Sequence, residues 1–72
     1  MEIHAGYWDA VLFVVQSRRV GVSRVQRHFK WGYNRSLHII EQMEKMGVVS
    51  EMDDGGRRAV LWPEFEFSSE EE

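Results

Sequence analysis

The 72 residues contain no cysteine, a single proline and no long apolar run. Without cysteine there are no disulfides, thiolate metal sites or thiol nucleophiles, and a reducing compartment is the natural setting, which points to the cytoplasm. The longest early apolar stretch, Ala10 to Val15, is far short of a membrane span, and no basic-then-apolar leader precedes it. Chemistry-bearing constellations are also lacking. Glu41 and Glu44 stand three apart on a helical pattern but project in different directions. His4, His28 and His38 lack the i, i+4 spacing of a helical metal pair. With no nucleophile, phosphate loop or metal-spaced set, neither enzymatic activity nor a metal, cofactor or small-molecule substrate is expected.

Acid is missing from the whole stretch between Ala10 and Ile40, where Arg18, Arg19, Arg24, Arg27, Lys30 and Arg35 supply six positive charges. The last nine residues show the opposite bias, with Glu64, Glu66, Glu70, Glu71 and Glu72 and no base. The net charge of −3 therefore hides a mildly basic body and an acidic tail. Six bases in such a stretch suit either a solvated helical face or a phosphate-binding surface.

The hydrophobic pattern divides the chain into short elements. A first amphipathic helix is expected from about Tyr7 to Ser17, with Trp8, Val11, Leu12 and Val15 inward and Arg18 and Arg19 at its negative end. Val20-Gly21-Val22 reads as a brief extended strand, and Ser23 with Gln26 as the capping box of a second helix whose core contacts are Val25 and Phe29. Lys30-Trp31-Gly32-Tyr33 has the length and glycine of a helix-turn-helix turn. A third helix should run from about Asn34 to Met46 and stop at Gly47. Ser36, Leu37, Ile39, Ile40, Met43 and Met46 form its inward arc, opposite a narrow stripe of Asn34, His38, Glu41 and Lys45. Two β-rich runs, 48–53 and 57–62, flank Asp54-Gly55-Gly56 as a hairpin, and Pro63 closes it. The pattern predicts an α+β winged helix over residues 1–63, followed by an acidic, largely disordered tail at 64–72. A single domain of this size buries only about 60% of its unfolded surface, so modest stability is expected.

The segment VVQSRRVGVSRVQRHFKWGYNRSLHIIEQMEKMGVVSEM carries S-R-R, then S-x-V-Q-R at the start of the second helix. G-Y-N-R follows at the turn into the third helix, then I-I-E-Q-M-E and G-V-V-S. From Asp9 to Pro63 the chain resembles the gamma domain of the bacterial DNA translocase FtsK. The resemblance implies a winged helix at the end of a hexameric chromosome-segregation motor. Such a domain reads short G-rich polarised sequences that orient translocation and activates the XerC/XerD recombinase at the chromosome dimer-resolution site. The family pattern usually continues G-Y-N-R-A-A-R, whereas here Ser36-Leu37 leads to His38 in place of the arginine. Trp31 stands where an aliphatic residue is usual, and Glu51, Asp53 and Asp54 make the wing acidic. No Walker motif occurs in these residues, so the domain is expected to be free-standing or excised, without the motor.

On that resemblance the base-reading positions correspond to Asn34, His38 and Glu41, the same outward stripe that periodicity gives. Asn34 suits a bidentate contact to adenine or a cap for its own helix. His38 suits donation to guanine N7 or O6, or an ordinary exposed imidazole, and Glu41 suits a cytosine amino group. Arg24, Arg27, Lys30, Arg35, Arg57 and Arg58 are the candidates for phosphate contacts. Trp31, at the tip of the turn, is a candidate for contact with DNA sugar or with a protein partner, and a XerD-type recombinase is the partner that the resemblance implies. The alternative to double-stranded DNA as ligand is a protein-interaction module that keeps the fold and acts as an adaptor or inhibitor, encoded by a phage or other mobile element.

Overall fold

The computed structural model describes residues 4–63. Its element order is α1 (Tyr7–Ser17), α2 (Val22–Phe29) and α3 (Tyr33–Lys45), with an irregular segment after α3. The expected acidic tail at 64–72 lies outside the described residues. Among the described residues, no helix is long and apolar enough to cross a membrane.

Helix α1 has the expected bounds, but its buried side is rotated from the expected stripe. Tyr7, Ala10, Val11, Val14 and Val15 are buried, while Trp8 is 44% exposed and Leu12 only half-buried. The reason is partnership at the margin. Trp8 stacks on Trp62 at 6.4 Å between ring centroids, so the two indoles shield each other outside the core. Arg18 caps α1 in the left-handed conformation at φ 59°, and its Nη1 donates to the Trp62 carbonyl at 2.7 Å.

The link at 20–22 is not a strand. Val22 is already the first residue of α2, and the N-cap is Gly21, with extended backbone and no side-chain cap bond. Ser23 therefore sits inside the first turn, where its hydroxyl does not meet a free amide, and the S-x-x-Q box is not formed. Only Val25 of α2 is fully buried, with Val22 and Phe29 packed at the edge of the core.

Helix α3 begins one residue before expectation and ends where Gly47 requires. Gly47 has φ +82°, its N–H donates to the Glu44 carbonyl, and the Val48 N–H donates to the Met43 carbonyl. This is the paired-bond glycine termination that satisfies the last free carbonyls of a helix. Ser36, Ile39, Ile40, Gln42 and Met43 are buried, whereas Met46 lies at the surface as the C-cap residue. With Val48 and Val49, the side chains of Ile39, Ile40 and Met43 join the α1 residues and Val25 in one core.

After α3 the two expected strands reduce to a single antiparallel bridge, Val49 to Val60, among the described residues. The chain does fold back on itself. Ser50 N donates to the Ala59 carbonyl at 2.9 Å, Asp53 N to the Arg57 carbonyl at 2.8 Å and Leu61 N to the Val48 carbonyl at 2.8 Å. Side chains interrupt the ladder between these points. The Ser50 hydroxyl accepts from Ala59 N, and the Ser50 carbonyl accepts from Arg58 Nη1, so neither closes the reciprocal backbone bond. Asp53 Oδ1 takes the amides of Gly55 and Arg57, both at 2.9 Å, and Gly56 turns at φ +78°. Asp53 thus serves the turn that it precedes.

Candidate nucleic-acid interface

Helices α2 and α3 meet through Lys30-Trp31-Gly32, with Gly32 as the extended N-cap of α3. A helix entered through a tight turn presents its N-terminal residues outward at the junction, the arrangement that lets such a helix enter a groove. Asn34, His38, Glu41 and Lys45 are all exposed along one side of α3. The cap of α3 is Gly32 and no side-chain cap bond forms there, so Asn34 is not a cap, and its exposed amide has no hydrogen-bond partner among the described residues. That leaves its donor and acceptor pair facing solvent.

His38 is not isolated. Its ring stacks with that of His4 at 6.2 Å between centroids and 22° between planes. His4 N donates to Oε1 of the buried Gln42 at 3.3 Å, and Arg35 Nη2 donates to the Ala5 carbonyl at 3.0 Å. The residues preceding α1 are thereby fastened to α3 on either side of His38. A cleft of about 250 Å³ opens between His4, His38, Glu41, Gln42 and Lys45. His4 and Gln42 were not singled out by sequence reasoning. The contact spans 38 positions and follows no local periodicity, so no sequence signal announces it.

The six cationic candidates occupy different environments. Arg27 and Lys30 are exposed on α2 and at its C-cap, and Arg57 is exposed on the turn of the returning segment. Arg24 lies partly buried with its guanidinium carbon 5.4 Å from the Phe13 ring centroid. Arg35 stacks over Trp31 at 4.1 Å, and Trp31 stacks in turn on Phe29 at 4.4 Å. Arg58 is enclosed, with a side chain only 11% exposed and Nη1 at 2.7 Å from Glu44 Oε1. Arg24, Arg27, Lys30 and Arg35 carry no carboxylate partner among the described residues, so positive charge remains along the α2–α3 side. Trp31 is half-buried between Phe29 and Arg35, with its six-membered ring against Gly6.

The described residues include no group of three or more His, Cys, Asp or Glu side chains able to hold a metal. What the arrangement offers is an exposed row of hydrogen-bonding side chains along one side of α3, with cations on α3 itself and on the adjoining α2. Residues 3–63 match a family model described as the FtsK gamma domain. A DNA translocase FtsK from Shewanella oneidensis is 56% identical over 57 residues, covering 79% of this chain and 6% of that protein. One from Pseudomonas syringae pv. tomato is 52% identical over 62 residues, covering 86% of this chain and 8% of the relative. DNA translocase FtsK 2 of Ralstonia nicotianae is 47% identical over 57 residues, 79% of this chain and 7% of its own length. The chain thus spans less than a tenth of each of these relatives.

Proposed function

The chain belongs to the FtsK gamma domain family, a non-catalytic DNA-binding module, and on that premise we propose that it binds double-stranded DNA and reads a short, polarised, G-rich sequence. In this reading α3 enters the major groove. Asn34 pairs its amide with adenine N6 and N7, Glu41 accepts from a cytosine amino group, and His38 donates to a guanine edge. Arg27 and Lys30, with the free donors of Arg24 and Arg35, hold the phosphate backbone and fix the register. The returning segment from Val48 to Trp62 acts as the wing of a winged helix, and Arg57 is its phosphate contact. Arg58 is left out of this DNA surface, because its side chain is only 11% exposed and its Nη1 is engaged by Glu44 and Ser50.

The observation that carries the reading is the pairing of two features on neighbouring helices. The exposed Asn34 begins a stripe through His38 and Glu41 on α3, and the acid-free cationic helix α2 packs against α3. A band-shift assay with a labelled G-rich duplex tests it. Binding should be lost on replacing Asn34, His38 and Glu41 together by alanine. An unshifted duplex with the folded wild-type chain at low salt overturns the reading.

A second role, in chromosome segregation, rests on the same membership: contact with and activation of a XerD-type recombinase. The motor activity named for the relatives belongs to those much longer proteins. The outer edge of Trp31 is the proposed point of contact with the recombinase. Recombination assays comparing wild type with Trp31→Ala on supercoiled DNA check it, with stimulation by wild type and its loss in the variant expected.

A further inference from the structure

The DNA reading takes its base contacts from three side chains of α3, yet the histidine in that row is half of a pair. We propose that His4, outside the three helices, is a specificity-determining residue that contacts guanine edges beside His38. The proposal rests on the DNA reading above and adds a base contact from the residues that precede α1.

The geometry points there in three ways. His4 is exposed, and its ring lies nearly parallel to that of His38, so the two imidazoles offer their edges side by side. Their placement is built rather than incidental. The His4 amide is bonded to Gln42, the His4 carbonyl accepts from Tyr7 N at 3.0 Å, and the next carbonyl, of Ala5, accepts from Arg35. Gly6 then turns the chain into α1 at φ +82°, backed by Trp31. Finally, the cleft beside the pair is bordered by Lys45 and Glu41, so it is polar and open to a base edge.

The chemistry explains why a second histidine helps. An arginine makes a bidentate fork to guanine O6 and N7, whereas one neutral imidazole donates a single hydrogen bond. A second imidazole stacked on the first from the segment before α1 supplies a second donor next to the stripe. Because the rings are 6.2 Å apart, they address neighbouring bases rather than one guanine.

The test measures affinity of the full chain for a G-rich duplex and a scrambled duplex, using wild type, His4→Ala, His4→Gln and Asn34→Ala. A second set of duplexes carries 7-deazaguanine at one guanine at a time, which removes a single N7 acceptor. His4→Ala should reduce the G-rich preference by about tenfold, and His4→Gln, which keeps a donor, should recover part of it. His4→Ala should also become indifferent to one 7-deazaguanine that weakens wild type. An unchanged preference in His4→Ala, while Asn34→Ala loses it, overturns the proposal and leaves His4 a tether. Tighter binding by His4→Ala overturns it as well, since the pair would then be obstructing the groove face. A wild-type chain with no preference for either duplex sinks the DNA reading itself and this inference with it. Unchanged thermal melting of His4→Ala establishes that folding is not the cause.

Discussion

Arg58 reaches back from the returning segment to Glu44 on α3, placing Nη1 2.7 Å from Oε1, and the same nitrogen bonds the Ser50 carbonyl at 3.2 Å. One guanidinium thus fastens the irregular segment to the helix. It also distinguishes two adjacent arginines, since Arg57 faces solvent and Arg58 does not.

Arg58→Ala should lower stability by about 1 kcal/mol, a charge-assisted bond discounted for the partly exposed carboxylate. It should leave the salt dependence of DNA binding unchanged. Arg57→Ala should do the reverse, with stability unchanged and the log-log salt slope shallower by about one. Denaturant melts and salt-titrated anisotropy on the two variants separate the roles.

Ser36 is completely buried in α3 and its Oγ has no hydrogen-bond partner. A buried hydroxyl left unbonded carries a desolvation cost with no return. Ser36→Ala should raise stability by about 1 kcal/mol, read as a higher denaturant midpoint at unchanged slope. A lower midpoint contradicts the packing described for this helix.

Gly6 has φ +82°, and a Cβ there would stand 2.7 Å from Trp31 Cζ2. Gly6→Ala should therefore cost about 1–3 kcal/mol through backbone strain and the displaced indole together. Combining it with Trp31→Ala removes the clash but not the strained φ. The double variant should then lose less than the sum of the two single losses in thermal melts.

Burial raises the pKa of the Tyr7 hydroxyl above its ordinary value of 10.0. The unfolded chain, with the ordinary value, releases this proton before the folded chain does. Above pH 10.0 the unfolded state therefore binds fewer protons, and stability falls as pH rises. Below that value the contribution is fully present. Tyr7→Phe should remove this alkaline loss, measured as the pH dependence of the denaturant midpoint between neutral and strongly alkaline buffer.

The sequence announced the elements whose signals are local. Gly47 ended α3 because only a residue tolerant of positive φ closes that pair of bonds, and the apolar spacing located α1 at its observed bounds. It misread features decided at a distance. Trp8 satisfied the helical period but found Trp62 at the surface, and Ser23 satisfied a capping pattern that Gly21 pre-empted. The expected strands gave way to competition from Ser50, Asp53 and Arg58 side chains for the same backbone groups. In the candidate site, Asn34, His38 and Glu41 were readable from helical spacing as an exposed row. The apposition of His4 to His38 depends on how the start of the chain lies across α3, and no periodicity encodes that. Arg58 looked like its neighbour Arg57 in the sequence, and only packing against Glu44 separates them.

The central claim is sequence-directed binding of double-stranded DNA through α3. Its most direct test is fluorescence anisotropy of the chain with a G-rich polarised duplex and a scrambled control, titrated with salt. The account predicts tighter binding to the G-rich duplex and a log-log salt slope of about −4 to −5, as for roughly five phosphate contacts. Equal affinity for both duplexes, or no binding to either at low salt, contradicts it.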